Sequence, residues 1–173
     1  MMYNIRDNTQ QVSFPEAVRL GIGRDQGLFL PERIEMIADM GDLLDMPFAQ
    51  RSAFVLSQLV GLDVPPESIQ QMVEEAFNFP VPLKEVNESV YALELFHGTS
   101  LAFKDFGARF MAQCLGEFHD GGPMTILTAT SGDTGAAVAQ AFYNQPGIDV
   151  VVLYPKGRVT PLQEKLFCTL GGN

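Results

Sequence analysis

Apolar positions change their period near residue 80. From Pro47 to Val60, the residues Phe48, Ala49, Ala53, Val55, Leu56, Leu59 and Val60 keep mostly helical spacing, and Gly61 ends the run. Pro65-Pro66-Glu67 opens a second helix with Ile69, Met72, Val73, Ala76 and Phe77 on one face. Upstream, Ser13-Phe14-Pro15-Glu16 is a capping-box pattern that begins a short helix stopping near Gly21 and Gly23. Gly27-Leu28-Phe29-Leu30-Pro31 is a short apolar segment between breakers. Phe79-Pro80-Val81-Pro82 interrupts the periodicity and reads as a linker. Residues 1–80 are therefore expected to form a mainly helical unit.

Beyond the linker, strand-like and helix-like segments alternate. Val90–Phe96 reads as a strand, Phe103–Phe118 as a helix, Met124–Ala129 as a buried strand and Thr134–Phe142 as a helix. Ile148–Tyr154 is a β-branched strand ending at Pro155. Thr160-Pro161-Leu162-Gln163 is another capping box, whose helix runs to about Leu170 with Gly171-Gly172 as its stop. This alternation predicts an α/β fold with a doubly wound, mainly parallel sheet. A parallel sheet is normally covered on both faces, which two or three strands cannot achieve alone. Residues 81–173 are expected to be the first, incomplete part of such a domain, truncated after a helix cap. Internal repeats and low-complexity tracts are absent from the sequence.

Composition narrows the function. Apolar residues make up 46% of the 173, as in a globular protein. Cys114 and Cys168 stand far apart, which argues against a disulfide framework or a zinc site and favours a reducing, cytoplasmic setting. The first residues have neither a basic nor an apolar signal-peptide region, and no apolar run reaches the roughly 18 residues of a membrane span. With a net charge of −10 and no Lys/Arg clusters, nucleic acid is not an expected partner. A small anion remains accessible, since it needs only a few local donors.

Three segments carry candidate chemistry. Lys104, in the run Leu95-Phe96-His97-Gly98-Thr99-Ser100-Leu101-Ala102-Phe103-Lys104-Asp105, opens a helix between Phe103 and Phe106. The helix dipole and apolar neighbours both favour a neutral amine, the form required for Schiff-base chemistry with an aldehyde. The alternative is a solvated lysine paired with Asp105. Thr130-Ser131-Gly132-Asp133-Thr134 lies between a strand and a helix, where backbone N–H groups suit a carboxylate or phosphate. The bland reading is a plain helix cap made by Ser131, Asp133 or Thr134. Lys156 and Arg158 flank Gly157 past the end of a strand, where open α/β sheets bind ligands, or else sit on a solvated loop. His97 is either an acid–base group or a structural histidine, and His119, beside Asp120-Gly121-Gly122, is expected to be exposed.

Jointly, Glu94–Phe110, the Thr128-Ala129-Thr130-Ser131-Gly132-Asp133-Thr134-Gly135 loop and Pro161–Phe167 resemble the threonine synthase family. Gln11–Phe14, Asp25–Phe29 and Arg51–Ala53 are similar to its N-terminal domain, so the resemblance covers essentially the whole chain. It implies a fold-type II enzyme dependent on pyridoxal 5′-phosphate (PLP), with residues 1–80 as the family's N-terminal domain and 81–173 as the start of the PLP-binding domain. The implied reaction turns O-phospho-L-homoserine and water into L-threonine and phosphate, the phosphate leaving from Cγ and water adding at Cβ. Lys104 matches the lysine that holds PLP covalently and shuttles protons at Cα and Cβ. Thr130, Ser131, Gly132 and Thr134 match the substrate-carboxylate loop, Asp133 lies near the cofactor ring, and Lys156 and Arg158 are candidates for the substrate phosphate.

Two departures qualify the match. The family usually has His-Gly-Pro-Thr where this chain has His97-Gly98-Thr99-Ser100. Ser100 keeps a hydroxyl, while loss of proline is expected to loosen the loop and tune the site. The family's glycine-rich cup for the PLP phosphate and its ring-nitrogen partner lie further along than residue 173, so these residues alone are not expected to turn over. Rival readings are another fold-type II PLP lyase, a PLP-binding relative with a phosphatase or regulatory role, and a non-catalytic fragment that associates with its missing half.

Overall fold

The computed structural model describes residues 1–38 and 40–173. The chain divides into two compact units, Met1–Glu75 and Ala76–Asn173.

The first unit begins with a small antiparallel sheet of order β2-β1-β3, formed by β1 (Met2–Asn4), β2 (Gln11–Val12) and β3 (Phe29–Pro31). Met2, Val12 and Ala17 form a buried cluster against Phe14 and Phe29. Asn4 is fully buried and satisfied: its Nδ2 donates to Gln10 Oε1 (2.7 Å) and the Arg24 carbonyl (2.9 Å), and its Oδ1 accepts from Arg6 N (2.8 Å). Helix α1 (Phe14–Leu20) starts at Ser13, whose hydroxyl accepts from Glu16 N at 3.3 Å. α2 (Met40–Asp45), α3 (Phe48–Val60) and α4 (Pro66–Ala76) follow, the last two at the predicted positions and α4 buried along Ile69, Met72, Val73 and Ala76. The small sheet and α2 are not among the elements that the periodicity predicts. Strands of two or three residues are too short to register a period of two, and the six-residue α2 covers less than two turns.

The second unit opens with the antiparallel hairpin β4 (Leu83–Asn87) and β5 (Val90–Leu93), whose residues are all exposed. Here the prediction fails twice. β4 was not anticipated, because Lys84, Glu85 and Asn87 dilute its apolar pattern, and the strand expected over Val90–Phe96 stops at Leu93 and pairs outside the parallel sheet. α5 (Lys104–Phe118), β6 (Met124–Ala129), α6 (Asp133–Ala141), β7 (Ile148–Leu153) and α7 (Pro161–Cys168) fall within a residue or two of expectation. β6 and β7 pair in parallel from Met124↔Ile148 to Ala129↔Leu153. α5 packs against α6, with Ala108 and Ala112 buried on the first helix and Ala136 and Ala137 on the second. Leu127, Val151 and Leu153 remain exposed on the strand pair.

Burial pushes the Cys114 thiol up to about 12, whereas Cys168 is exposed. An alkylating reagent should modify Cys168 in the native protein and reach Cys114 only on unfolding, as peptide mapping would reveal. The raised value means the unfolded state ionises first. The Cys114 contribution is therefore fully present below pH 9.0 and lost as pH rises towards about 12. The slope is about 1.4 kcal/mol per pH unit, measurable as urea midpoints that diverge from those of Cys114→Ala only above pH 9.

Candidate functional site

α5 begins after Phe103, which offers no side-chain cap. Instead the Asp105 carboxylate, fully buried, turns back onto the preceding loop. It accepts from Ser100 N at 2.9 Å and makes a long 3.5 Å contact with Thr99 Oγ1. Gly98 packs directly on that carboxylate: a Cβ there would stand 2.3 Å from Asp105 Oδ2, so no side chain fits. The proposed pairing of Lys104 with Asp105 is thereby corrected, since Asp105 is committed to the loop. Lys104 Nζ sits 4.4 Å from the centroid of the Phe103 ring. Lys104 borders a cavity of about 490 Å³ whose walls include Leu95, Phe106, Met111 and Thr134. Ser100 Oγ, at the departure from the family pattern, is buried with no hydrogen-bond partner among the described residues.

The loop after β6 stays attached to the sheet through Thr130 N, which donates to the Leu153 carbonyl at 2.8 Å. Thr130 then turns inward, and its hydroxyl accepts from both Gly132 N and Gly135 N at 2.9 Å. Gly132 adopts φ 150°, a region that disfavours side chains. The expectation that Ser131, Asp133 or Thr134 caps α6 is thus replaced: the capping hydroxyl belongs to Thr130, and those three residues are exposed. Asp133 Oδ1 accepts from Gln163 Nε2 at 2.8 Å. Thr130→Val keeps the shape but strands two buried N–H groups. It should cost about 2 kcal/mol in urea unfolding, with Thr130→Ser close to wild type.

Because β6 and β7 run parallel, the Thr130–Thr134 loop and the turn carrying Lys156 and Arg158 leave the same end of the strand pair. Both cations are exposed. Thr134 borders the same cavity as Lys104. His97 Nε2 lies 2.7 Å from Glu94 Oε2, with its ring against Phe96. His119 is not exposed as expected: its side chain is 13% accessible, and Nε2 donates to the Gly122 carbonyl, which pulls the ring under the turn. Asp105 and Gln163 escaped the sequence reading as site residues, because each looks like an ordinary first-turn residue. No helix among the described residues is long and apolar enough to cross a membrane.

The fold recurs in known proteins. A family model described as the threonine synthase N terminus matches residues 3–77. The chain is 58% identical to threonine synthase from Haemophilus influenzae and 53% identical to that from Escherichia coli, across 99% of its own length in each case. It spans 40% and 41% of those two proteins. The crystal structure of the Escherichia coli enzyme superposes with a TM-score of 0.93, covering 99% of this chain and 40% of that one. A PLP-bound threonine synthase from Brucella melitensis, 31% identical, gives 0.84 over 96% of this chain and 38% of its own. Over nearly its whole length the chain is thus similar to the N-terminal portion of threonine synthases.

Proposed function

We propose that this chain supplies the cofactor lysine and the substrate-carboxylate loop of a threonine synthase that converts O-phospho-L-homoserine and water into L-threonine and phosphate with PLP. The observation that carries the reading is the cavity shared by Lys104 and Thr134. Its Leu95, Phe103, Phe106 and Met111 walls suit a flat aromatic ring, and the Lys104 amine at its border suits an aldehyde, so the residues fit the group. When bound, PLP supplies an electron sink for charge developing on the substrate carbons. Lys104 Nζ holds the cofactor and moves protons at the substrate Cα and Cβ. The free N–H groups of the Thr130–Thr134 turn and the start of α6 bind the substrate carboxylate, and Asp133 orients the cofactor ring. Lys156 and Arg158 attract the substrate phosphate from the same end of the strands.

In this reading residues 1–80 are the family's N-terminal domain and 81–173 open the PLP-binding domain. The activity belongs to a longer chain, in which further residues cover the exposed Leu127, Val151 and Leu153. A cytoplasmic location fits a biosynthetic enzyme with these two free thiols. The test is borohydride reduction of the full-length protein with PLP, followed by peptide mass spectrometry. Stoichiometric label at Lys104 is expected, and label scattered over other lysines would sink the assignment.

A further inference from the structure

One amide joins two helix starts. Gln163 Oε1 accepts from Thr160 N at 3.1 Å and Thr160 Oγ1 at 3.0 Å, which closes the capping box of α7. Its Nε2 donates to Asp133 Oδ1 at 2.8 Å, at the first residue of α6. The partners settle which way the amide points. A backbone N–H can only donate and an ionised carboxylate only accept, so the oxygen faces Thr160 and the NH₂ faces Asp133. The same amide covers Gly132, where a Cβ would stand 2.4 Å from Gln163 Nε2. The loop is therefore held from within by Thr130 and from the α7 side by Gln163.

We infer that Gln163 is a positioning residue: it fixes the Asp133 carboxylate, and through it the order of the Thr130–Thr134 loop, so that seating α7 shapes the site. Its relevance to turnover rests on the loop's role proposed above. The hydrogen-bond geometry explains why a residue some 30 positions away bears on that loop. A capping residue alone needs only its acceptor oxygen, and Glu would serve α7 equally well. The spare NH₂ is what Asp133 uses.

Gln163→Glu separates the two roles. It keeps size and cap acceptor, but sets a second carboxylate against Asp133, where two acceptors cannot bond and like charges repel. In the full-length protein, hydrogen exchange of residues 128–140 should rise about tenfold, while residues 160–170 stay protected. The KM for O-phospho-L-homoserine should rise about tenfold, with a smaller change in kcat. Adding Asp133→Asn restores a donor–acceptor pair in the reverse sense, and exchange of residues 128–140 should return to within about twofold of wild type. Unchanged exchange in Gln163→Glu, or no recovery in the double variant, would overturn the inference. A loop that loosens and recovers while KM stays at the wild-type value upholds the hold of Gln163 on Asp133 and refutes the loop's assignment to the substrate carboxylate.

Discussion

Lys104→Ala in the full-length protein is expected to abolish covalent capture of PLP and to lower threonine formation by about 10³-fold or more, with the fold intact. In the role proposed for it, the amine holds the cofactor and moves protons, and a positioned acid–base group contributes about 10²–10⁴-fold. The fold should survive because Lys104 is only half-buried and its amine rests on the face of the neighbouring, exposed Phe103 ring. Such an exposed cation–π contact contributes about 0.5–1 kcal/mol, and alanine is the better helix former at the start of α5. Steady-state kinetics with O-phospho-L-homoserine, beside a thermal unfolding scan, separates the two. Retained activity at wild-type level would remove Lys104 from the mechanism, whereas a collapsed melting temperature would mean the lysine is structural.

Asp105→Ala carries the second large effect, of about 3 kcal/mol on stability. The carboxylate is wholly buried, and Gly98 leaves it no room to move. Removing it strands Ser100 N in the interior and forfeits a charge-assisted hydrogen bond at the helix N-terminus, where a negative group is favoured. Asp105→Asn keeps one acceptor oxygen and should cost about half as much. Since the loop is tied directly beside Lys104, both variants should also slow the appearance of borohydride-reducible label at Lys104. Urea unfolding and labelling rates measure the two consequences independently. An Asp105→Ala protein as stable as wild type would show that the loop is held by something other than this carboxylate.

These two neighbours illustrate how far the residues themselves lead. Lys104 stands out because an amine at the N-terminus of an apolar-faced helix opposes both the dipole and desolvation, an anomaly visible in one dimension. Asp105 is no anomaly in one dimension: an acid in the first turn is ordinary, and its neighbour Lys104 looks like its partner. Only the loop folded over it, with Gly98 in contact, reveals a buried clamp.

The same division runs through the fold. The sequence by itself determined α3, α4, α5, α6, α7 and the parallel pair β6–β7, because each repeats its period over enough residues or carries a local cap, as Thr160 and Gln163 do for α7. Local hydrogen bonds reach three or four residues, so their donors and acceptors lie within one readable window. Tertiary structure alone decided the three-stranded sheet of the first unit, the β4–β5 hairpin, the capping of α6 by Thr130 and the second bond of Gln163. The sheet and the Gln163 bond depend on which distant segment arrives alongside, and spacing along one element does not encode that partner. The hairpin and the Thr130 cap are local but carry no readable signal: polar residues dilute β4, and Thr130 reaches two and five residues ahead from outside the helix.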